Sequence, residues 1–186
     1  HWGGVRGIVD EADVRAGKVQ IIAPRDFMEF AVSENVYAGN AMNRRLMYQY
    51  GVLLPASPFG HAGQGLNMNV ANGNMGLIPP TRVIEDDIEV LTVDGVEMEF
   101  MNTPGAEAPA QIHTWFPESK VYWSAEDVTG TFHNIYTLRG ALVRDALAAV
   151  CEASLVARVT RTPEPFEARV ADLCSEPERF RLAPKN

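Results

Sequence analysis

Long apolar runs are missing from this sequence. No stretch approaches the roughly 18 consecutive apolar residues that a membrane-spanning helix needs, so no transmembrane segment is expected. Positive charge is also scarce. Lys and Arg number 16 against 24 Asp and Glu, a net charge of −8. That excludes a nucleic-acid partner, which requires a basic patch to neutralise phosphates. It does not exclude a small anionic substrate, because a local cluster can overrule the global sign. There are only two cysteines, Cys151 and Cys174. Their spacing makes neither a zinc-finger pattern nor a disulfide framework, and both read as plain thiols. A Gly-x-Ser-x-Gly elbow and a Walker A loop are absent, and neither cysteine has a histidine nearby in sequence. Serine, phosphate-loop and thiol mechanisms therefore find no support. The chain opens on His1-Trp2-Gly3-Gly4 without an initiator Met and without a secretory signal, which leaves the compartment open.

What is present suits a globular domain. The 186 residues are 46% hydrophobic, with a mean hydropathy of −0.11, enough for one domain with a real core. Lys18 to Ala23 reads as a short buried strand closed by Pro24. Residues 25–38 and 39–50 read as helices, with Phe27, Phe30, Ala31 and Val36 near the helical period and Asn40 or Asn43 as a cap of the second. Residues 53–80, rich in Gly, Pro and Asn, read as a long functional loop. The run "DDIEVLTVDGVEMEFMN" predicts a hairpin around Asp94-Gly95. In its second strand Val96, Met98 and Phe100 face inward between Glu97 and Glu99. A second strand pair flanks Glu118-Ser119, and residues 138–159 predict a long helix. After about residue 148 the texture becomes rich in Arg, Glu and Pro.

Two acidic residues stand out. Glu107, in "TPGAEAPA", follows a strand on a rigid turn. A carboxylate there can be a metal ligand, a general base or a solvated loop residue. Glu126, in "YWSAEDV", again follows an apolar strand, with Asp127 beside it. Two carboxylates at successive strand ends can converge on one metal site. Arg139, in "TFHNIYTLRGA", falls at the expected start of a helix, where it can bind an oxyanion or simply lie on the surface. His61 and His113 read as structural or surface residues. Met68, Met75, Met98 and Met101 read as packing.

Taken together, "HWGGVRGIVDEADV", "GLIPPT", "NTPGAEAPA", "WSAED" and "HNIYTLRG" resemble, in the same order and at similar distances, the alkyl sulfatases of the metallo-β-lactamase superfamily. The resemblance covers about residues 1–147. It implies an α/β (α+β) fold, the αββα sandwich of that superfamily, here incomplete. It divides the chain into a partial catalytic domain at 1–147 and a divergent tail at 148–186. It implies zinc-dependent hydrolysis of alkyl sulfate esters such as dodecyl sulfate, with two Zn2+ per intact site. His1 matches a ligand of the second zinc, the last His of a His-x-His-x-Asp-His motif whose earlier members this chain lacks. Glu107 matches a ligand of the first zinc, Glu126 the glutamate bridging both, and Arg139 the arginine that grips sulfate. His133 and Asn134 fall with Arg139 on the substrate side, and Phe59, Leu66 and Met68 are candidates for a wall of the alkyl groove.

The resemblance also implies what is not here. A later family histidine, the helical dimerisation region of the homodimer and a C-terminal domain have no counterpart, so a fragment is expected. Bacterial relatives are periplasmic or secreted. Catalytic zinc needs about three protein ligands plus water, and the matched residues supply two each. Impaired activity is therefore expected. The alternatives are a superfamily hydrolase of another ester and a non-catalytic binding remnant of the same fold. Missing strands would leave apolar edges exposed, which predicts marginal stability.

Overall fold

A computed structural model describes residues 2–60, 75–128, 135–136 and 142–151. The chain divides into two compact units. One comprises His1–Ile22, Met28–Arg82 and Thr137–Ala141, the other Ala23–Phe27, Val83–Tyr136 and Leu142–Asn186.

In the first unit a 3-10 turn at Trp2–Gly7 precedes α1, Glu11–Arg15. Asp10 starts α1 by accepting the Ala12 N–H on its carboxylate at 2.8 Å, which satisfies one of the helix's orphan donors. Gly17 ends the helix at φ +72°, and the Lys18 N–H returns to the Asp13 carbonyl at 2.9 Å. Lys18 is thus still part of a helix terminus. The strand expected from Lys18 shrinks to β1, Ile22–Pro24.

Next comes α2, Phe27–Val32, then a π turn at Ser33–Tyr37, then α3, Gly39–Gln49. The helical content falls where the sequence puts it, but the winding changes. Asn35 Nδ2 donates to the Ala31 carbonyl at 3.0 Å, and Ser33 Oγ to the Phe30 carbonyl at 3.2 Å. Side chains competing for helix carbonyls accompany such wide turns. The apolar period breaks with it: Ala31 is buried and Val36 is exposed. The cap of α3 is Ala38, not Asn40 or Asn43, which lie inside the helix.

The second unit is built on an antiparallel meander in the order β3-β4-β5-β6. Its strands are Ile88–Val93, Val96–Asn102, Ile112–Phe116 and Val121–Trp123. A separate two-stranded sheet pairs β1 with β2, Arg82–Ile84. Asp94 at φ +52° and Gly95 at φ +81° make the two-residue turn of the first hairpin, whose sign of φ matches strand twist. Its register runs from Ile88 opposite Met101 to Val93 opposite Val96. The expected alternation does not hold along β4: Val96, expected to face inward, is exposed, and at the far end Phe100, Met101 and Asn102 are all buried. The polar one is held through its amide nitrogen: Asn102 Nδ2 donates to the carbonyls of Ile84 and Asp86 at 2.8 and 2.7 Å, while its Oδ1 finds no partner among the described residues. Among the described residues, Ala23, Ile84, Phe100, Met101, Ala106, Ala149 and Cys151 are the buried apolar residues of this unit. Cys151 is a free thiol, as expected. Cys174 lies outside the described residues.

Of the helix expected over 138–159, the described residues 146–151 are helical and 142–145 are not; the rest lies outside the described residues. Asp145 sets the start at 146, because its carboxylate accepts the N–H groups of Leu147 and Ala148 at 2.8 and 3.2 Å. No helix among the described residues is long and apolar enough to cross a membrane.

Candidate functional site

Direction along the meander decides where the loops emerge. Neighbouring strands are antiparallel, so β4 and β6 run the same way. The loop after β4, which carries Glu107, and the turn after β6, which carries Glu126, therefore leave the sheet at the same end. One strand, β5, separates them. With strands about 4.8 Å apart, the two exits stand roughly 10 Å from each other.

The loop after β4 is tightly held. The Thr103 N–H donates to the Gln111 carbonyl at 3.0 Å, and the Gly105 N–H to the Ala108 carbonyl at 2.8 Å. Gly105 sits at φ +91°, a region where a side chain is strained. The segment before the helix at 146–151 is laid onto this loop, with the Asp145 N–H donating to the Gly105 carbonyl at 2.8 Å. Arg144 then reaches Glu107 twice. Nη2 bonds carboxylate oxygen Oε1 at 2.5 Å, and Nε donates to the Glu107 carbonyl oxygen. The side chains are 12% and 20% exposed, so this pair is largely removed from water.

The turn after β6 is held from the inside. Ala125 has φ +50°, and the Asp127 N–H closes the turn on the Ser124 carbonyl at 3.2 Å. Glu126 is exposed, whereas its neighbour Asp127 is buried. The Asp127 carboxylate accepts from Thr103 Oγ1 at 3.0 Å and from Gln111 Nε2 at 3.1 Å. It also meets His113 Nε2 at 2.6 Å, and His113 Nδ1 meets the Tyr122 hydroxyl at 2.6 Å. The side chains of His113 and Asp127 are both 0% exposed. Both ring nitrogens of His113 are thus engaged, Nδ1 by the Tyr122 hydroxyl and Nε2 by the carboxylate. A buried carboxylate is tolerated only with such a full set of donors.

Of the residues singled out in the sequence, Glu107 and Glu126 are described, and the topology brings their loops to one end of the sheet. His1, His133, Asn134 and Arg139 lie outside the described residues, as do Leu66 and Met68. Phe59 is fully exposed. The helix start expected at Arg139 falls on residues outside those described; the described helical residues at 146–151 follow the Asp145 cap. His113 is a buried structural residue. Sequence reasoning missed Arg144 altogether, together with Thr103 and Gln111. Nothing local marks them, because their partners lie 16 to 37 positions away. As for a metal, the chemistry of the donors is right but the set is small. Among the described residues no group of three His, Cys, Asp or Glu stands together to hold an ion, and Glu107 already receives Arg144. These residues alone do not constitute a zinc site.

Comparison with known proteins gives the site a context. The chain is 53% identical over 148 residues to a linear primary-alkylsulfatase of Pseudomonas sp., covering 80% of this chain and 22% of that protein. It is 51% identical over 145 residues to an alkyl/aryl-sulfatase of Saccharomyces cerevisiae, covering 78% of this chain and 22% of the relative. The structure of a stereoselective inverting sec-alkylsulfatase from Pseudomonas sp. superposes with a TM-score of 0.75 and 44% identity, over 91% of this chain and 26% of that one. The chain thus spans about a fifth to a quarter of the length of the proteins it matches. No profile of a known protein family matches it. At these identities the shared fold is established: this is the mixed α/β, metallo-β-lactamase type of architecture of the alkylsulfatases.

Proposed function

We propose, for a chain similar to the alkylsulfatases in sequence and fold over about four-fifths of its length, that it carries part of the active site of a zinc-dependent alkyl sulfate ester hydrolase. One observation carries this reading. The topology delivers Glu107 and Glu126 to the same end of one sheet, in a chain about half of whose matched residues are identical to alkylsulfatases. Glu107 would hold one zinc, Glu126 would bridge two, and His1 would hold the second. Zinc, when bound, supplies Lewis acidity and a water acidified toward neutrality. The rest falls to the chain's own side chains. The planar guanidinium of Arg139 suits two oxygens of a sulfate group at once, with His133 and Asn134 beside it in sequence. Phe59, Leu66 and Met68 would line the path of the alkyl chain, as in dodecyl sulfate.

Three matched ligands fall short of the roughly three per ion that catalytic zinc needs. Activity of these 186 residues is therefore expected to be impaired. A second reading has its own observation. Glu107 is ion-paired with Arg144, and no trio of ligands gathers among the described residues. Both facts favour a non-catalytic binding module of the same fold. The two readings separate on one preparation. Zinc is measured on the purified chain after dialysis, beside Glu126→Ala, and sulfate release from dodecyl sulfate is followed. Zinc retained by the chain and lost in the variant, with slow sulfate release, is the expected result. Zinc absent from both, or equal in both, with no sulfate released, leaves the binding module.

A further inference from the structure

We infer that Asp127 is the positioning residue for Glu126, acting through the backbone of the turn they share; the inference rests on Glu126 being the functional carboxylate of this end of the sheet. Three facts converge. First, Asp127 is a fully buried carboxylate. It is held by the side chains of Thr103, Gln111 and His113, from both sides of the loop that carries Glu107. Second, the turn it anchors is not one the sequence would adopt by itself. Ala125 stands at φ +50°, where an alanine is strained and a glycine is not. Third, Glu126 lies between the two, exposed, on a backbone fixed on one side by a strained residue and on the other by a buried anchor.

The division of labour follows from the chemistry. An apolar interior in place of the whole network would fill the same space without needing donors, and buried charges are rarely the most stable choice. What a carboxylate with directed bonds adds is orientation. Its oxygens are tied to side chains on either side of the Glu107 loop, and its own N–H closes the turn on Ser124. The position of Glu126 is thereby referred to the same loop that presents Glu107. This is the kind of support that ligating or catalytic carboxylates draw from the groups behind them.

The test uses the 186-residue chain labelled with 13C at alanine and glutamate and uniformly with 15N. The Ala125 Cα and Cβ shifts report the sign of its φ, and the Glu126 carboxylate shift reports its setting. Asp127→Asn keeps the shape, removes the charge and turns one acceptor into a donor facing Thr103, Gln111 or His113. Expected is an Ala125 signal that leaves the left-handed range and a displaced Glu126 signal, while the Phe100 and Met101 amides of β4 keep their positions. Adding Ala125→Gly to Asp127→Asn restores the Glu126 signal, because glycine takes the turn without the anchor. A purely structural network would show no such rescue. Should Asp127→Asn fail to fold, Gln111→Leu, which withdraws a single donor, gives a smaller shift in the same direction. A folded variant with unchanged Ala125 and Glu126 signals overturns the inference. Titration with cobalt(II) runs in parallel. Asp127→Asn is expected to weaken binding about 10- to 100-fold, with recovery in the double variant. No cobalt binding by any form counts against Glu126 as a ligand and leaves the turn measurement to decide the role of Asp127. Cobalt bound equally by the chain and by a folded Asp127→Asn variant overturns the inference itself.

Discussion

Replacing Arg144 by alanine withdraws two bonds from Glu107 at once and leaves its carboxylate in a largely dry setting. Removing one partner of a fully buried ion pair costs roughly 3–5 kcal/mol. Here the side chains keep 12% and 20% exposure, so water takes up part of the loss and a cost of about 2–3 kcal/mol is expected, in line with a charge-assisted hydrogen bond left half-made. For a chain of this size that corresponds to a melting temperature lower by about 4–12 °C. Glu107→Ala should cost less, since the long Arg144 side chain can swing its head toward solvent. In the double variant Arg144→Ala/Glu107→Ala the loss should fall well short of the sum of the two, giving a coupling of about 1–2 kcal/mol. Thermal melts of the four proteins in the same buffer measure it. Strict additivity would refute the argument, because it would mean that the pair contributes nothing beyond two independent side chains. Arg144→Lys offers a further check. A lysine ammonium can reach one oxygen but cannot bond the carboxylate and the Glu107 carbonyl from a fixed fork, so it should recover only part of the loss.

Two smaller perturbations test other joints. Tyr122→Phe removes the hydroxyl that meets His113 Nδ1 at 2.6 Å and leaves a ring nitrogen without that partner, so a loss of about 1–3 kcal/mol is expected in chemical denaturation; a neutral result would mean that His113 carries its proton elsewhere or finds another partner. Asp145→Ala strips the cap from the helix at 146–151 and should cost about 1 kcal/mol, with Asp145→Asn close to neutral; equal losses in both would show that charge rather than capping is at stake.

Local chemistry made the sheet legible. Asp94-Gly95 announces its own turn because few other pairs accept two positive φ values, and the strands on either side fall within a residue or two of where their β-branched and aromatic residues place them. Glu107 and Glu126 were legible as strand-end carboxylates for the same reason. What stayed hidden depends on distance in the chain. Asp127 finds Thr103 across 24 positions and Arg144 finds Glu107 across 37, and nothing in either neighbourhood advertises the partner. Asp127 and Glu126 look interchangeable in "SAEDV", yet one is buried and the other exposed. That choice is made by the left-handed turn at Ala125, a residue with no sequence preference for it. The non-helical backbone at 142–145 was hidden differently. It lies within the run expected to be helical, but the backbone of 144 and 145 is engaged elsewhere: the Arg144 N–H donates to the Ile135 carbonyl at 2.9 Å and the Asp145 N–H to the Gly105 carbonyl at 2.8 Å.

The meander separates two kinds of chain reversal. At one end lie the Asp94-Gly95 turn and the turn at 117–120, with Lys120 at φ +53°. These reversals only connect strands, and the exposed Val96 and Val121 beside them bury little. At the other end lie the loop of Glu107, the turn of Glu126 and every bond of the Asp127 network. Two glycines inserted after Ser119 therefore lengthen a reversal that, among the described residues, only joins two strands, and loop-closure entropy sets the cost at well under 1 kcal/mol. The same insertion after Ala106 parts Gly105 from Ala108 and shifts Glu107 away from Arg144. It should cost several times more, because backbone bonds and an ion pair are lost together. Denaturant melts of the two insertion variants compare the ends directly. Equal losses would show that rigidity is spread evenly over the sheet and that the carboxylate end holds no reserve of order for function. A large loss confined to the second insertion would locate that order where the two glutamates emerge.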